Sequence, residues 1–175
     1  TFCEKNKYRF DDLTQRFTAN GVLDEKDENM MQIAIKGCYP LHPISTFILP
    51  RLSEKVAQNE RTLFTFLSSD QKYTLSAFLK TAKGDFPMLT PDYIYDYFEP
   101  LLRKEHYTSE THKLYKLTSN VLRKVEPDSL GAKIIKTISL IYIIEQFEKL
   151  PPIFNIIADT FQDSVGDTNE ISKVL

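Results

Sequence analysis

The sequence predicts an all-α protein, and three observations carry that expectation. Glycine is scarce, at five in 175 residues. Leu, Ile, Lys and Glu are abundant. Apolar residues recur at helical spacing over long segments, with no run of strand-like alternation. Hydrophobic residues make up 42%, with twelve Phe, nine Tyr and no Trp. That is enough apolar surface for a packed core rather than a disordered chain. A chain of this length makes one domain or two small ones.

The first helix is expected over about Glu4 to Ala19, with Phe10, Leu13 and Phe17 on one face and Gly21 as a left-handed stop. "DEKDENMMQIAIKGC" reads as a second helix, acidic at its start and ending in Lys36-Gly37, as the helix dipole favours. The turn "YPLHP" leads into a third helix from Pro43 to about Ala57. Pro43 suits a first helical position, and Pro50 should kink or split this helix. "NERTLFTFL" reads as a short fourth helix burying Leu63, Phe64 and Leu67, and "TLSAFLKTA" as a fifth closed by Gly84.

"LTPDYIYDYFEPLL" has a clear start: Thr90 as cap, Pro91 at the first position and Asp92 in the first turn. Its stripe of Tyr93, Ile94, Tyr97 and Phe98 reads as packing surface before it reads as a ligand box. In "SETHKLYKLTSNVLRKV", Leu114, Leu117, Val121 and Val125 are expected to face inward. Lys113, Lys116, Asn120, Arg123 and Lys124 fall largely on the other side. "EPDSLG" interrupts the chain. "AKIIKTISLIYIIEQFEKL" is apolar around most of its circumference, Ile134, Ile138, Ile141 and Ile144 among its buried set, so it belongs inside a domain. "PPIFNIIADTFQ" and "DTNEISKVL" give two more short helices, the last opened by Asp167 and Glu170 at capping-box spacing. The break suggests a first unit over 1–126 and a second over 127–175.

Several function classes receive no support. The formal net charge is −2, so no global field draws nucleic acid or an acidic membrane. Cys3 and Cys38 sit in no CxxC and read as reduced thiols, a single disulfide being the alternative. The longest apolar run, Ile134–Ile144, is interrupted by Lys136 and is too short to span a bilayer. The chain begins at Thr1 with no signal-peptide pattern, and both ends read as cut. The expectation is a piece of a longer cytoplasmic protein. There is no phosphate-binding glycine loop, and the three histidines lack partners at metal-ligand spacing. No hydrolytic motif is present, so catalysis by this chain alone is not expected.

Two stretches remain. The last three helices have the order of a winged helix-turn-helix whose strands would lie beyond Leu175; a plain three-helix unit is the alternative. From Asp159 to Glu170 there are four acidic residues and no Lys or Arg, which argues against groove reading there. The positive patch of Lys113, Lys116, Arg123 and Lys124 can track a phosphate backbone or be a solvated helix face. Arg51 and Arg61 can each fork onto a phosphate, or form surface ion pairs with Glu54 or Glu60.

The segment "YPLHP", a helix, then "QNERTLFTFLSS" resembles one found just after the P-loop core in large prokaryotic AAA+/STAND-like ATPases, several of them in phage-defence islands of the BREX type. Tyr39, Pro40, Leu41, His42 and Pro43 match the turn, and Gln58, Asn59, Glu60, Arg61 and Thr62 match the cluster that opens the next helix. The resemblance covers about thirty residues; the downstream "AKIIKTISLIYII…LPPIFNIIADTF" is similar more loosely to the winged-helix start of such proteins. It implies a helical lid followed by the start of a winged helix. The lid's partner would be an upstream P-loop ATPase core of the same polypeptide, with other subunits possible. ATP and magnesium would be held by that core, with no cofactor in this chain. Arg61 would sense the γ-phosphate and His42 would lie near the nucleotide. The competing expectation is a non-enzymatic helical module binding protein or nucleic acid.

Overall fold

The computed structural model describes residues 1–19, 28–57, 60–165 and 171–173. Gly21, Gln58, Asn59, Gly166, Asp167, Asn169 and Glu170, on which some expectations rest, lie outside them. The described residues are all-helical: α1 (Phe2–Lys5), α2 (Lys7–Ala19), α3 (Glu28–Gly37), α4 (Pro43–Leu52), a π-helical turn (Ser53–Ala57), α5 (Glu60–Ser68), α6 (Leu75–Thr81), α7 (Pro91–Lys104), α8 (Glu110–Leu122), α9 (Leu130–Ile144) and α10 (Phe154–Val165).

The expected first helix is two. Thr1 caps α1 through a capping box with Glu4, and the chain turns at Asn6 before α2 begins. The face of α2 is as expected, with Phe10, Leu13 and Phe17 buried. Pro50 sits inside α4, and the helix widens into the π-helical turn directly afterwards. A proline has no N–H for the carbonyl one turn back and its ring crowds that turn, and a locally wider turn is one way for a helix to absorb the break.

Helix α9 occupies the centre, packing on α4, α7 and α8. Ile134, Leu140, Ile141, Ile143 and Ile144 are buried, with Ile138 partly so. Glu145, in the left-handed region at φ 54°, ends it. Side chains from both sides of residue 126 belong to one continuous buried cluster.

Helix α7 presents the expected stripe to this core: Ile94 and Phe98 are fully buried, and Tyr93 and Tyr97 pack against the cluster. Thr90 stands at the cap position, but its hydroxyl does not accept a backbone N–H. It donates to the Asp92 carboxylate at 2.5 Å. Asp92 is buried, and that burial pushes its carboxyl above the ordinary range.

Two faces differ from expectation. In α5, Phe66 is the buried residue, edge-on to Tyr97 at 5.0 Å, while Phe64 and Leu67 are 69% and 43% exposed. Leu63 packs against the core as expected, and the aromatic contact with α7 brings Phe66 in beside it rather than Phe64 or Leu67. In α8 the buried residues are Thr111, Tyr115 and Thr118, and Leu117 and Val121 point to solvent. The Thr118 hydroxyl donates to the Leu114 carbonyl at 2.8 Å and accepts the proton of the Ser139 hydroxyl of α9, 2.8 Å away. A satisfied buried hydroxyl pair tolerates an interior position that hydrophobicity alone would not assign.

Lys136 of α9 binds the Asp96 carboxylate of α7 at 2.7 Å, with both side chains largely shielded from water. Burial raises the Asp96 carboxyl even against this cation. Lys136→Met should therefore cost about 1–3 kcal/mol, because it strands a half-buried carboxylate. Urea unfolding measures this, and Lys136→Met with Asp96→Leu should recover much of the loss. A neutral single variant would mean that water, not Lys136, satisfies Asp96.

Candidate functional site

The turn from Tyr39 to Pro43 is built into the interior. The His42 N–H donates to the Leu89 carbonyl at 3.0 Å, and the Leu89 N–H to the Pro40 carbonyl at 2.8 Å, so Leu41 and Leu89 form a lone parallel bridge pair. The Ser45 hydroxyl donates to the same Leu89 carbonyl at 2.7 Å. The turn is thus strapped to the segment before α7.

His42 caps α4: its Nδ1 accepts the Ile44 N–H at 3.2 Å. The proton then resides on Nε2, which lies against the Asp159 carbonyl of α10 without the alignment of a full hydrogen bond. Phe17 of α2 meets the ring edge-on at 5.4 Å. The ring is 0% exposed, and burial, with the Arg16 cation second, lowers its pKa to about 3. A neutral histidine so placed joins α2, α4 and α10. It offers no surface to a nucleotide bound outside the bundle.

Arg51 is turned back on its own helix. Its guanidinium donates to the Phe47 carbonyl at 2.9 Å and lies 3.5 Å over the Phe47 ring. Arg61 is exposed in the first turn of α5. Tyr97 holds that turn by donating to the Thr62 carbonyl at 3.2 Å. Arg61, Phe64 and Leu67, at i, i+3 and i+6, share the outward side of α5, so a cation adjoins two exposed apolar side chains. His42 and Arg61 belong to different settings: one is interior, the other faces solvent.

Lys113 and Lys116 on α8, and Arg123 and Lys124 just past its end, are all exposed. Lys113 pairs with Glu110 at 2.6 Å, a surface pair of small worth.

One polar cluster was not foreseen. Tyr95, Asp96 and Glu99 of α7, Tyr115 and Ser119 of α8, and Lys136 of α9 line a shallow cleft of about 290 Å³, with Arg123 at its rim. The Tyr115 hydroxyl donates to Glu99 at 2.7 Å. Burial raises the Tyr95 phenol. Only the packing of three helices gathers these groups, and no spacing within one helix announces them. A larger cleft, about 530 Å³, lies between α2 and α10, where Arg16 bridges Asp12 at 2.9 Å and Asp163 at 3.1 Å. Among the described residues, no three His, Cys, Asp or Glu gather to hold a metal ion, and no helix is long and apolar enough to cross a membrane.

The class that fold and surface define, among the described residues, is an all-helical bundle with exposed cations on its outer faces, Arg61 of α5 and Lys113 and Lys116 of α8 among them. No protein-family model, curated protein or solved structure matches the chain.

Proposed function

We propose that the chain works by docking rather than by catalysis, as the helical lid and winged-helix start of a cytoplasmic P-loop ATPase, joined to an upstream nucleotide-binding core. The observation that carries this reading is the outer side of α5, where exposed Arg61 adjoins exposed Phe64 and Leu67. A permanently charged fork beside apolar anchors suits an edge that closes on a phosphate-bearing domain. ATP and magnesium would be held by that core, and the chain's own contribution would be the Arg61 guanidinium. His42 contributes at a distance, by fixing the turn from which α4 and then α5 start. Nucleotide state would move the lid as a body, and the attached helices would pass the motion on.

Extending the polypeptide N-terminally should recover a GxxxxGK[ST] loop and an acidic Walker B strand. Several hundred upstream residues with neither would end the proposal. In the extended protein, Arg61→Ala should lower the ATPase rate by about tenfold or more, with the melting temperature unchanged. An equal loss of stability would make Arg61 a structural residue.

A second reading has its own observation. Lys113 and Lys116 of α8, with Arg123 and Lys124 directly after it, all face solvent, which suits a binding module engaging a polyanion or an acidic protein. Binding that weakens with salt and with charge removal at Lys113, Lys116 and Arg123 would support it.

A further inference from the structure

We infer that the outer face of α8 receives an acidic amphipathic helix of a partner protein. This rests on the second reading above, that α8 is an interaction face, and specifies what binds there.

The starting observation is the mixed outer face of α8. Helix α8 turns Thr111, Thr118 and the Tyr115 phenol inward, while Leu117 is 63% exposed and Val121 37% exposed. Its interior is satisfied by hydroxyl hydrogen bonds, Thr118 to Ser139 at 2.8 Å and Tyr115 to Glu99 at 2.7 Å. Leu114 and Leu122 pack against the core, while Leu117 and Val121 are left outside, one turn apart. At 100° per residue, Lys113 and Asn120 form a stripe directly beside Leu117 and Val121, with Lys116 on its far side; exposed Arg123 and Lys124 follow directly past the end of α8. The face therefore has an apolar edge and a basic edge running in parallel.

Phosphate tracking needs the cations alone and gains nothing from Leu117 or Val121. A helix with Leu or Ile along one stripe and Asp or Glu along the next satisfies both edges at once. The Lys113–Glu110 pair is exposed and gives way readily to a partner carboxylate. Thirteen residues of α8 span roughly 20 Å, room for a partner helix of similar length.

The test uses the full chain and a labelled, designed eighteen-residue peptide with a leucine stripe beside a glutamate stripe. A scrambled peptide of the same composition and a twenty-base-pair DNA duplex serve as comparisons. Fluorescence anisotropy should show binding of the designed peptide and not of the scramble. Leu117→Ser with Val121→Ser should weaken it about tenfold or more, as should Lys113→Glu with Lys124→Glu. All four positions are exposed, so the melting temperature should hold in each variant. Peptide binding indifferent to the Leu117/Val121 change, or DNA binding that survives it and exceeds peptide binding, would overturn the acidic-helix assignment while keeping α8 as a binding face. No binding of peptide or duplex at low salt would remove α8 as an interaction face altogether.

Discussion

Replacing His42 with alanine should lower the folding stability by about 3–5 kcal/mol: roughly 1 kcal/mol for the lost cap of α4 and the remainder for a ring-sized void among buried side chains. His42→Asn should recover only the cap share, since a short amide can still accept the Ile44 N–H but cannot fill the space against Phe17. The same residue should give the protein a pH dependence. The folded pKa of His42 is lowered to about 3, from an ordinary value of 6.5. An unfolded chain takes up this proton as pH falls through 6.5, and the folded chain does not. Stability is therefore whole above that pH and declines below it, by up to about 1.4 kcal/mol per pH unit. Between pH 6.5 and 5, before most carboxylates titrate, the loss should reach about 2 kcal/mol. Urea unfolding across that range measures the slope. His42→Asn should flatten it; an unchanged slope would show that another group carries the titration.

The role of His42 also marks how far the sequence could be read. Fold class, the order of helices and the central place of α9 follow from periodicity, because an all-apolar circumference has one destination. The prolines of "YPLHP" were legible as a rigid turn into a helix. The histidine was not, because a cap and a ligand look alike in one dimension. What separates them is burial from α2 and α10, more than twenty residues away on one side and more than a hundred on the other. Helices α5 and α8 failed for a related reason. Their apolar residues cover a wide arc, of which Leu63 and Leu114 turn inward as expected, and a partner on another helix decides which neighbours join them: Tyr97 for Phe66, Ser139 for Thr118. Of the site candidates, Arg61 and the α8 cations lie on the surface as spacing alone requires. The Tyr95–Asp96–Glu99–Tyr115–Lys136 cluster is tertiary in origin, and no local pattern encodes it.

Ile141→Ala should be the most informative substitution in the core. The side chain is 0% exposed in the last turn of α9. Truncating it removes apolar contacts and leaves a void, at about 2–5 kcal/mol, which lowers the melting temperature by roughly 10 °C for a chain of this size. Because α9 packs on α4, α7 and α8 together, the loss should appear as one shifted transition, with helix content and tyrosine environment changing in step. A chain ending at Glu126 sharpens the same point. It would strip Lys136 from Asp96 and Ser139 from Thr118, and uncover the sides of α4, α7 and α8 that α9 shields. Such a chain should fail to unfold cooperatively. A sharp transition for 1–126 would instead mean that the first eight helices form a unit without α9. Asp96 and Thr118, uncovered with α9 gone, would then take water in place of Lys136 and Ser139, and the apolar sides of α4, α7 and α8 would have to stand in solvent.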